Sequence, residues 1–421
     1  MSSCIDIINW NDVLINANTS GGKQIARGLA ILSQYTVIEM IEAIETLLVY
    51  CNNLILFPTD EKYRKIKISN IHYQERLGHL NGSIICMDSI GYKIKADYLR
   101  LQIIHSDDLN EIKDILSNTL TCMKSNFIVA PLYDYNYQFL SVKGVGSHHN
   151  IGIRKSMEDE EVIIDQYCSI KTQGFYAVYD GHGGRESVDF VAKALHRNFQ
   201  QALLQHQNTI DLAFIQSYIK TDNQIRRQNI FRSGTTAVTC FIREEYAENT
   251  HTETSSNETK KQRVLYTANV GDSRAILIRN NNAIRLTIDH KPNLPEETAR
   301  IEKAGGHVID NRVNRVLAVS RALGDHMLKH NDLVSPEPYC TTTILSPKTD
   351  SFLILACDGV WDVITDQKAC DFVIDTYQRI YQENSSKLTI NQILAHVAQA
   401  LVELSLEMKS KDNITVMIIK L

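Results

Sequence analysis

A chain of 421 residues, 43% of them hydrophobic, has room for two or three domains with ordinary soluble cores. Its formal charge of −5 gives no general attraction for nucleic acid, and no apolar run approaches the ~18 residues of a membrane-spanning helix. The nine cysteines are scattered without a C-x-x-C pair, which argues against a disulfide framework or a zinc ribbon. MSSCIDIINW lacks the basic start and apolar stretch of a signal peptide, and Ser2 is not the glycine that myristoylation needs. A cytoplasmic and/or nuclear protein with no membrane partner is expected.

Taken in chain order, residues from about 20 to 125 alternate helical segments with charged turns. SGGKQ (20–24) invites a nucleotide-loop reading. Ala17, however, stands where G-x-x-x-x-G-K-[ST] needs its first glycine, and Gln24 replaces the hydroxyl residue, so a turn is expected. VIEMIEAIETLLVYCNNLI (37–55) carries apolar residues at helical spacing, and Pro58 and Asp60 punctuate it. KADYLRLQ and DLNEIKDILSNTL follow as shorter amphipathic stretches, then a polar and aromatic connector, PLYDYNYQF (131–139).

From about 142 the texture changes to short β-rich runs: FYAVY, TAVTCFI, VLYTANV, AILIR, SFLILAC and NITVMIIKL. Helical patterns separate some of them. In RESVDFVAKALHRNFQQALL (185–204), Val188, Val191, Ala192, Leu195 and Phe199 share one face. ITVMIIKL scarcely alternates, which predicts a strand buried on both sides, as in a sandwich covered by helices. EEYAENTHTETSSNETKKQR (244–263) reads as a long mobile hairpin loop.

GFYAVYDGHGGR (174–185) runs an apolar strand into Asp180 and then sets His182 among Gly181, Gly183 and Gly184. An acid beside glycine recurs at other strand ends, as Asp272 after Gly271 and as Asp358 before Gly359. Asp412-Asn413 precedes the last strand, and GIRKSMEDEEV supplies Arg154, Glu158 and Asp159. Singly, each such acid is also a good turn former. Converging, they would repel: two like charges ~4 Å apart cost ~4 kcal/mol at an effective dielectric of about 20. Such a cluster either protonates or holds cations, and an oxygen-only donor set favours Mg²⁺ or Mn²⁺ over zinc. Two ions bridged by one aspartate can hold and ionise a water for in-line attack at phosphorus. Arg154 is suited to clamp a phosphate, and His182 to protonate a leaving alkoxide. Metal-assisted phosphoester hydrolysis is the chemistry that results. No cysteine has an arginine six residues downstream, so a cysteinyl-phosphate route lacks its loop. A phosphodiesterase or nuclease using the same acids stays open, although the acidic charge and the lack of basic-aromatic patches argue against it.

RKSMED, YDGHGG, SGTTA, VGDSRA, DHKP, SRALGD, ACDGVWD and KDNIT, in this order over roughly 142–421, resemble the metal-dependent serine/threonine protein phosphatases of the 2C type. The resemblance implies an α+β fold of the αββα kind, a central β-sandwich flanked by helices. It also implies two Mg²⁺ or Mn²⁺ ions at the sandwich edge and hydrolysis of phosphoprotein substrates without a phospho-enzyme intermediate. By motif, Asp180 is expected to bridge the ions. The Gly181 carbonyl and Glu158 would lie on one ion's side, with Asp358 and Asp412 as ligands of the other. Asp272 matches the acid that helps hold a third, weaker metal in some members. Arg154 matches the phosphate-binding arginine, His182 the general acid, and Asp159 the acid that holds metal-bound water. Ser320, Arg321 and Asp325 in VSRALGDHML are expected to shape a substrate-side flap rather than do chemistry. His148 and His149 are expected in a surface loop, Trp361 and Cys357 in the core, and Gly305-Gly306 in a turn after the helix PEETARIEKA.

Residues 60–93, DEKYRKIKISNIHYQERLGHLNGSIICMDSIGYK, preceded by a helix ending in NNLI, resemble the heart of a PUB (or PUG) domain. That small α/β module binds the C-terminal tail of the valosin-containing AAA ATPase, or similar short peptides. Its peptide pocket would here draw on Asn53, Tyr63, Lys67 and Asn70, and a cation beside asparagine amides suits an acidic tail or its carboxylate. KYRKIKISN also reads as a basic edge strand with a solvated face. The expected organisation is a PUB-like domain over 20–125, a linker over 126–141 and a phosphatase domain over 142–421. An adaptor of the AAA ATPase with catalysis secondary is the alternative to an enzyme recruited by its front domain.

Overall fold

Apolar side chains gather into separate cores on either side of residue 128, dividing the chain into units Met1–Ile128 and Val129–Leu421. The computed structural model describes residues 10–33, 37–102, 106–125, 136–246, 261–329 and 332–421.

The first unit contains α1 (Trp10–Asn16), α2 (Ser20–Leu32), α3 (Val37–Leu56), β1 (Lys65–Lys67), α4 (Ile71–Tyr73), α5 (Ser83–Ser89), β2 (Tyr92–Lys95), β3 (Tyr98–Leu101) and α6 (Ser106–Ser125). The long helix read at 37–55 is α3, and its Ile44, Leu47 and Leu54 pack against Leu109, Ile112 and Leu116 of α6. SGGKQ is not a turn but the first turn of α2. Thr19 caps it by accepting from the Gly22 N–H, and Glu111 of α6 accepts the Asn18 and Thr19 N–H groups at 2.6 and 2.7 Å. KADYLRLQ also departs from its helical reading. Leu99 and Leu101 are buried and Arg100 is exposed, a period of two, and β3 lies between β1 and β2 in a three-stranded sheet.

The second unit has strands β4 (Gly144–Asn150), β5 (Asp159–Asp165), β6 (Gly174–His182), β7 (Gly234–Thr235), β8 (Ala237–Tyr246), β9 (Lys261–Val270), β10 (Arg274–Arg279), β11 (Asn282–Arg285), β12 (Val308–Ile309), β13 (Arg312–Val313), β14 (Leu323–Gly324), β15 (Tyr339–Leu345), β16 (Asp350–Ala356) and β17 (Ile414–Lys420). Its helices are α7 (Glu186–Gln205), α8 (Ile210–Arg227), α9 (Pro295–Lys303), α10 (Asp358–Trp361), α11 (Asp366–Asn384) and α12 (Ile390–Glu407). One sheet runs β14–β7–β6–β8–β9–β15, with β5 also paired to β6, and the other β11–β10–β16–β17–β4.

Two-sided burial explains the missing alternation. On β6, Phe175, Ala177 and Tyr179 join a core with α7 and α8, while Tyr176 and Val178 enter the core between the sheets. On β17, Ile414, Val416 and Ile418 pack with α12, while Met417 and Ile419 meet the opposite sheet. The order is helices, sheet, sheet, helices, as the αββα reading requires.

Three local expectations change. His148 and His149 lie on β4, paired with Val416 and Thr415, not in a surface loop. In the 244–263 segment, β8 and β9 extend the hairpin to the pair Tyr246↔Lys261, and 247–260 lie outside the described residues. Of the linker read at 126–141, 126–135 lie outside the described residues. Its end is pinned to the second unit, where Asp165 accepts from the Leu140 and Ser141 N–H groups at 2.8 and 2.9 Å.

Phe199 of α7 is fully buried and stacks on Phe214 of α8 with ring centroids 4.0 Å apart. Phe199→Ala should cost about 3–5 kcal/mol in denaturant unfolding of the second unit's core. A loss under about 1 kcal/mol would contradict this packing.

Candidate functional site

Antiparallel pairing brings distant acids to one edge of the sandwich. The first residue of β5, Asp159, stands in register with Asp180 near the end of β6. The end of β16, which leads into Cys357 and Asp358, pairs with the start of β17, which follows Asp412 and Asn413. The β9–β10 turn carries Asp272, and Arg274 just beyond it pairs with Ala356. Glycine permits the crowding. A Cβ on Gly181 would lie 2.4 Å from the Glu158 carbonyl oxygen, which accepts the Gly181 N–H at 3.1 Å. Gly183 and Gly184 take φ of +71° and +120°, where side chains are strained.

Side chains brace these segments from afar. The Asn413 carboxamide accepts the Glu158 N–H at 2.8 Å and donates to the carbonyls of Ile151 and Ser156 at 2.9 and 3.0 Å. Thr236 donates its N–H to the Asp180 carbonyl at 2.9 Å, and its hydroxyl meets that of Ser273 at 2.6 Å. Arg185 donates to the Met157 and Asp159 carbonyls and pairs with Glu160 and Asp189, tying the start of β5 to α7.

The charge balance is uneven. Lys291 pairs with Asp272, and Arg154 pairs with Asp412 at 2.5 Å. Among the described residues, no such ion pair serves Asp159, Asp180 or Asp358. Burial first, then the charges of Asp159, Asp358, Asp272 and Asp412, push Asp180 well above the carboxylate range. Asp358 is raised well above its ordinary value by burial and by Asp272. Asp272 is raised by burial against the opposing pull of Lys291. Asp159, buried, is pushed up to about 6, although the hydrogen bond from Thr415 opposes the shift.

One atom points directly to a cation. Asp159 Oδ2 accepts the Thr415 hydroxyl at 2.7 Å, but the buried Oδ1 has no hydrogen-bond partner. Ligand atoms of Asp159, Asp180 and Cys357 lie within 4.8 Å of one another. The thiol is the least suited of the three. Burial and the charges of Asp159, Asp180 and Asp358 raise it well above its ordinary value, so it stays an S–H. Oxygen donors remain, and they fit a hard divalent cation.

His182 and Arg154 lie at the same edge, through the end of β6 and the Asp412 pair respectively. Asp325 departs from its expected place: its Oδ2 lies 2.8 Å from His182 Nε2. Burial lowers the His182 pKa, but hydrogen bonding to Asp325 and its charge outweigh this, and the net shift is upward. Ser320 donates to the His290 carbonyl at 3.0 Å, and Arg321 pairs with Glu297 at 2.7 Å. Trp361 and Cys357 are buried, and Gly305 follows α9 with φ +85°.

In the first unit, Asn53 sits in the last turn of α3, where its carbonyl accepts the Phe57 N–H at 2.8 Å. Phe57 stacks on half-buried Tyr63 with centroids 5.6 Å apart. Lys67 is exposed at the end of β1, and its carbonyl accepts the Asn70 N–H at 2.9 Å. Asn70 caps α4 by accepting from the Tyr73 N–H at 3.2 Å. Phe57 was not singled out by sequence, though an exposed aromatic just past a helix end is a visible signal.

Comparison with known proteins places both units. Residues 143–414 match the protein phosphatase 2C family, and residues 39–117 match the PUB domain. The chain belongs to the protein phosphatase 2C family. It is 38% identical over 289 residues to Protein phosphatase 2C homolog 1 of Saccharomyces cerevisiae, covering 68% of this chain and 94% of the yeast protein. A homolog of the same name in Schizosaccharomyces pombe is 34% identical over 74% of this chain and 80% of that protein. Among solved structures, a phosphatase from a pathogenic strain of Toxoplasma gondii superposes with TM-score 0.53 at 25% identity, covering 65% of this chain and 91% of that one. No described helix is long and apolar enough to cross a membrane.

In chelator, wild type and Asp159→Asn should diverge with pH. A carboxyl whose folded pKa is raised contributes stability below its unfolded value, about 4, and loses it as pH passes its folded value, about 6. The Tm of the variant should therefore gain on that of the wild type across this window. A Tm difference that does not change with pH would contradict the raised pKa.

Proposed function

We propose that the chain hydrolyses phosphoserine and phosphothreonine esters with two divalent cations, Mg²⁺ or Mn²⁺, at the sandwich edge, and that its PUB domain recruits it to an acidic peptide. Membership of the family makes it a protein-serine/threonine phosphatase, a phosphoric monoester hydrolase. The family is metal-dependent, and the acidic group at β5 and β6 could bind a metal ion. The observation that carries the finer reading is Asp180, raised by burial and by four other aspartates drawn from four other parts of the chain.

In this reading Asp180 would be the shared holder of the cations. Glu158 and the Gly181 carbonyl would help hold one, Asp358 and Asp412 the other, and Asp272 would serve a third, weaker site. Bound cations would supply an acidified water and positive charge for the phosphoryl oxygens. Asp159, with one carboxylate oxygen fixed by Thr415 and the other unpartnered, would orient that water. The guanidinium of Arg154, more than half exposed, suits two phosphoryl oxygens. His182 would give its proton to the departing oxygen.

Recruitment rests on the exposed Lys67, the neighbouring Asn70 amide, Asn53 and the Phe57–Tyr63 stack. These groups suit a short tail ending in a carboxylate, such as that of the valosin-containing AAA ATPase.

Asp180→Asn should lower Mn²⁺-dependent turnover of an aryl phosphate by at least about 10²-fold while the protein stays folded by circular dichroism. Near-normal turnover would sink the metal-centred reading. For the first unit, capture by an immobilised tail peptide should be lost in Lys67→Ala and weakened in Asn70→Ala. Equal capture by the wild type and both variants, or by none of the three, would remove the recruitment reading.

A further inference from the structure

Three adjacent strands align the residues that matter here. His182 on β6 pairs with Gly234 on β7, and Gly234 pairs with Gly324 on β14. The chain then turns through Gly324 and Asp325, both with positive φ (+86° and +53°), and lays the Asp325 side chain back across β7. Only glycine tolerates that crossing. A Cβ on Gly234 would lie 2.1 Å from Asp325 Oδ2 and 2.3 Å from its Cγ. The carboxylate thus passes over Gly234 to reach His182 Nε2 at 2.8 Å. It is 5% exposed, against 31% for the imidazole.

The turn is fastened from behind. Asp325 donates its N–H to the Ser233 carbonyl at 3.0 Å, and Ser187 of α7 donates its hydroxyl to the same carbonyl at 2.7 Å. Buried Asp222 of α8 accepts the Gly324 N–H at 2.8 Å and pairs with Lys329. His326 Nε2 meets the Asp222 carbonyl at 3.0 Å. Such fastening is far more than a solvent-facing flap residue needs.

We propose that Asp325 is the positioning residue of His182, holding Nε2–H so that Nδ1 is the atom that delivers the proton to the leaving serine or threonine oxygen. The inference rests on the phosphatase reading above. A carboxylate only accepts, so the nitrogen facing it carries hydrogen. As the P–O bond breaks, its electron pair stays on the substrate oxygen, which takes the Nδ1 proton. The imidazolium becomes a neutral imidazole whose Nε2–H remains on Asp325. Asp222, Lys329 and Gly234 act one step further back by fixing where Asp325 lies.

Leaving groups separate this role from a structural one. An alkoxide needs a proton as it departs, whereas a nitrophenolate leaves without one. With Mn²⁺, kcat should be compared for a phosphoserine peptide and 4-nitrophenyl phosphate in wild type, Asp325→Asn and Gly234→Ala. Peptide kcat should fall about 10²-fold in both variants with KM little changed, and the aryl rate should fall far less, so that the ratio drops at least about tenfold. If wild type turns over neither substrate, the phosphatase reading fails. If wild type is active but both rates fall together, or neither falls, the positioning role fails. The wild type carries an independent test: long-range ¹H–¹⁵N spectra should show neutral His182 as the Nε2–H tautomer, and a dominant Nδ1–H form would overturn the assignment.

Discussion

Mutual repulsion among buried carboxylates is the constraint on which the rest of this structure depends. Five aspartates act on one another at a single sandwich edge, and the protein's own cations meet only part of the charge, at Asp272 and Asp412. At separations near 4 Å each unrelieved pair costs several kcal/mol, and burial adds to this. No fold keeps such an arrangement for stability alone. Its persistence fits the metal dependence of the family, and the orphaned Asp159 oxygen is an atom at which a cation could bind.

Much of the surrounding architecture serves to hold these acids against their repulsion. Asn413 ties the β17 entrance to the loop before β5 with three hydrogen bonds, and Thr236 ties Asp180 to the Asp272 turn through Ser273. Arg185 carries the start of β5 onto α7, so helix packing and carboxylate placement are coupled. The two-sided burial of β6 and β17 gives these braces rigid anchors.

The strands and their acids were legible because each relies on local pattern. Apolar runs ended in Asp180, Asp358 or a position just past Val270, and their two-sided hydrophobicity announced a sandwich. The 2C-type motif order then assigned roles. What stayed hidden was set by tertiary contact. Asp325 belongs to a motif that reads as flap, and only the three-strand alignment of His182, Gly234 and Gly324 shows where its carboxylate goes. Asn413 was visible as a neighbour of Asp412, but its reach to residues 151–158 follows from sheet register. KADYLRLQ misled because four alternating residues suit a short helix face as well as a strand. SGGKQ misled because its start is held in α2 by α6, some ninety residues away, where Asp108 accepts the Gly21 N–H at 2.9 Å and Glu111 the Thr19 N–H at 2.7 Å.

The central claim is that these carboxylates tolerate one another because divalent ions sit among them. Anomalous scattering from crystals grown with Mn²⁺ tests it most directly. The account predicts two strong peaks, one on either side of Asp180, toward Glu158 and toward Asp358 and Asp412. Ordered, unpaired carboxylates with no anomalous density between them would contradict it.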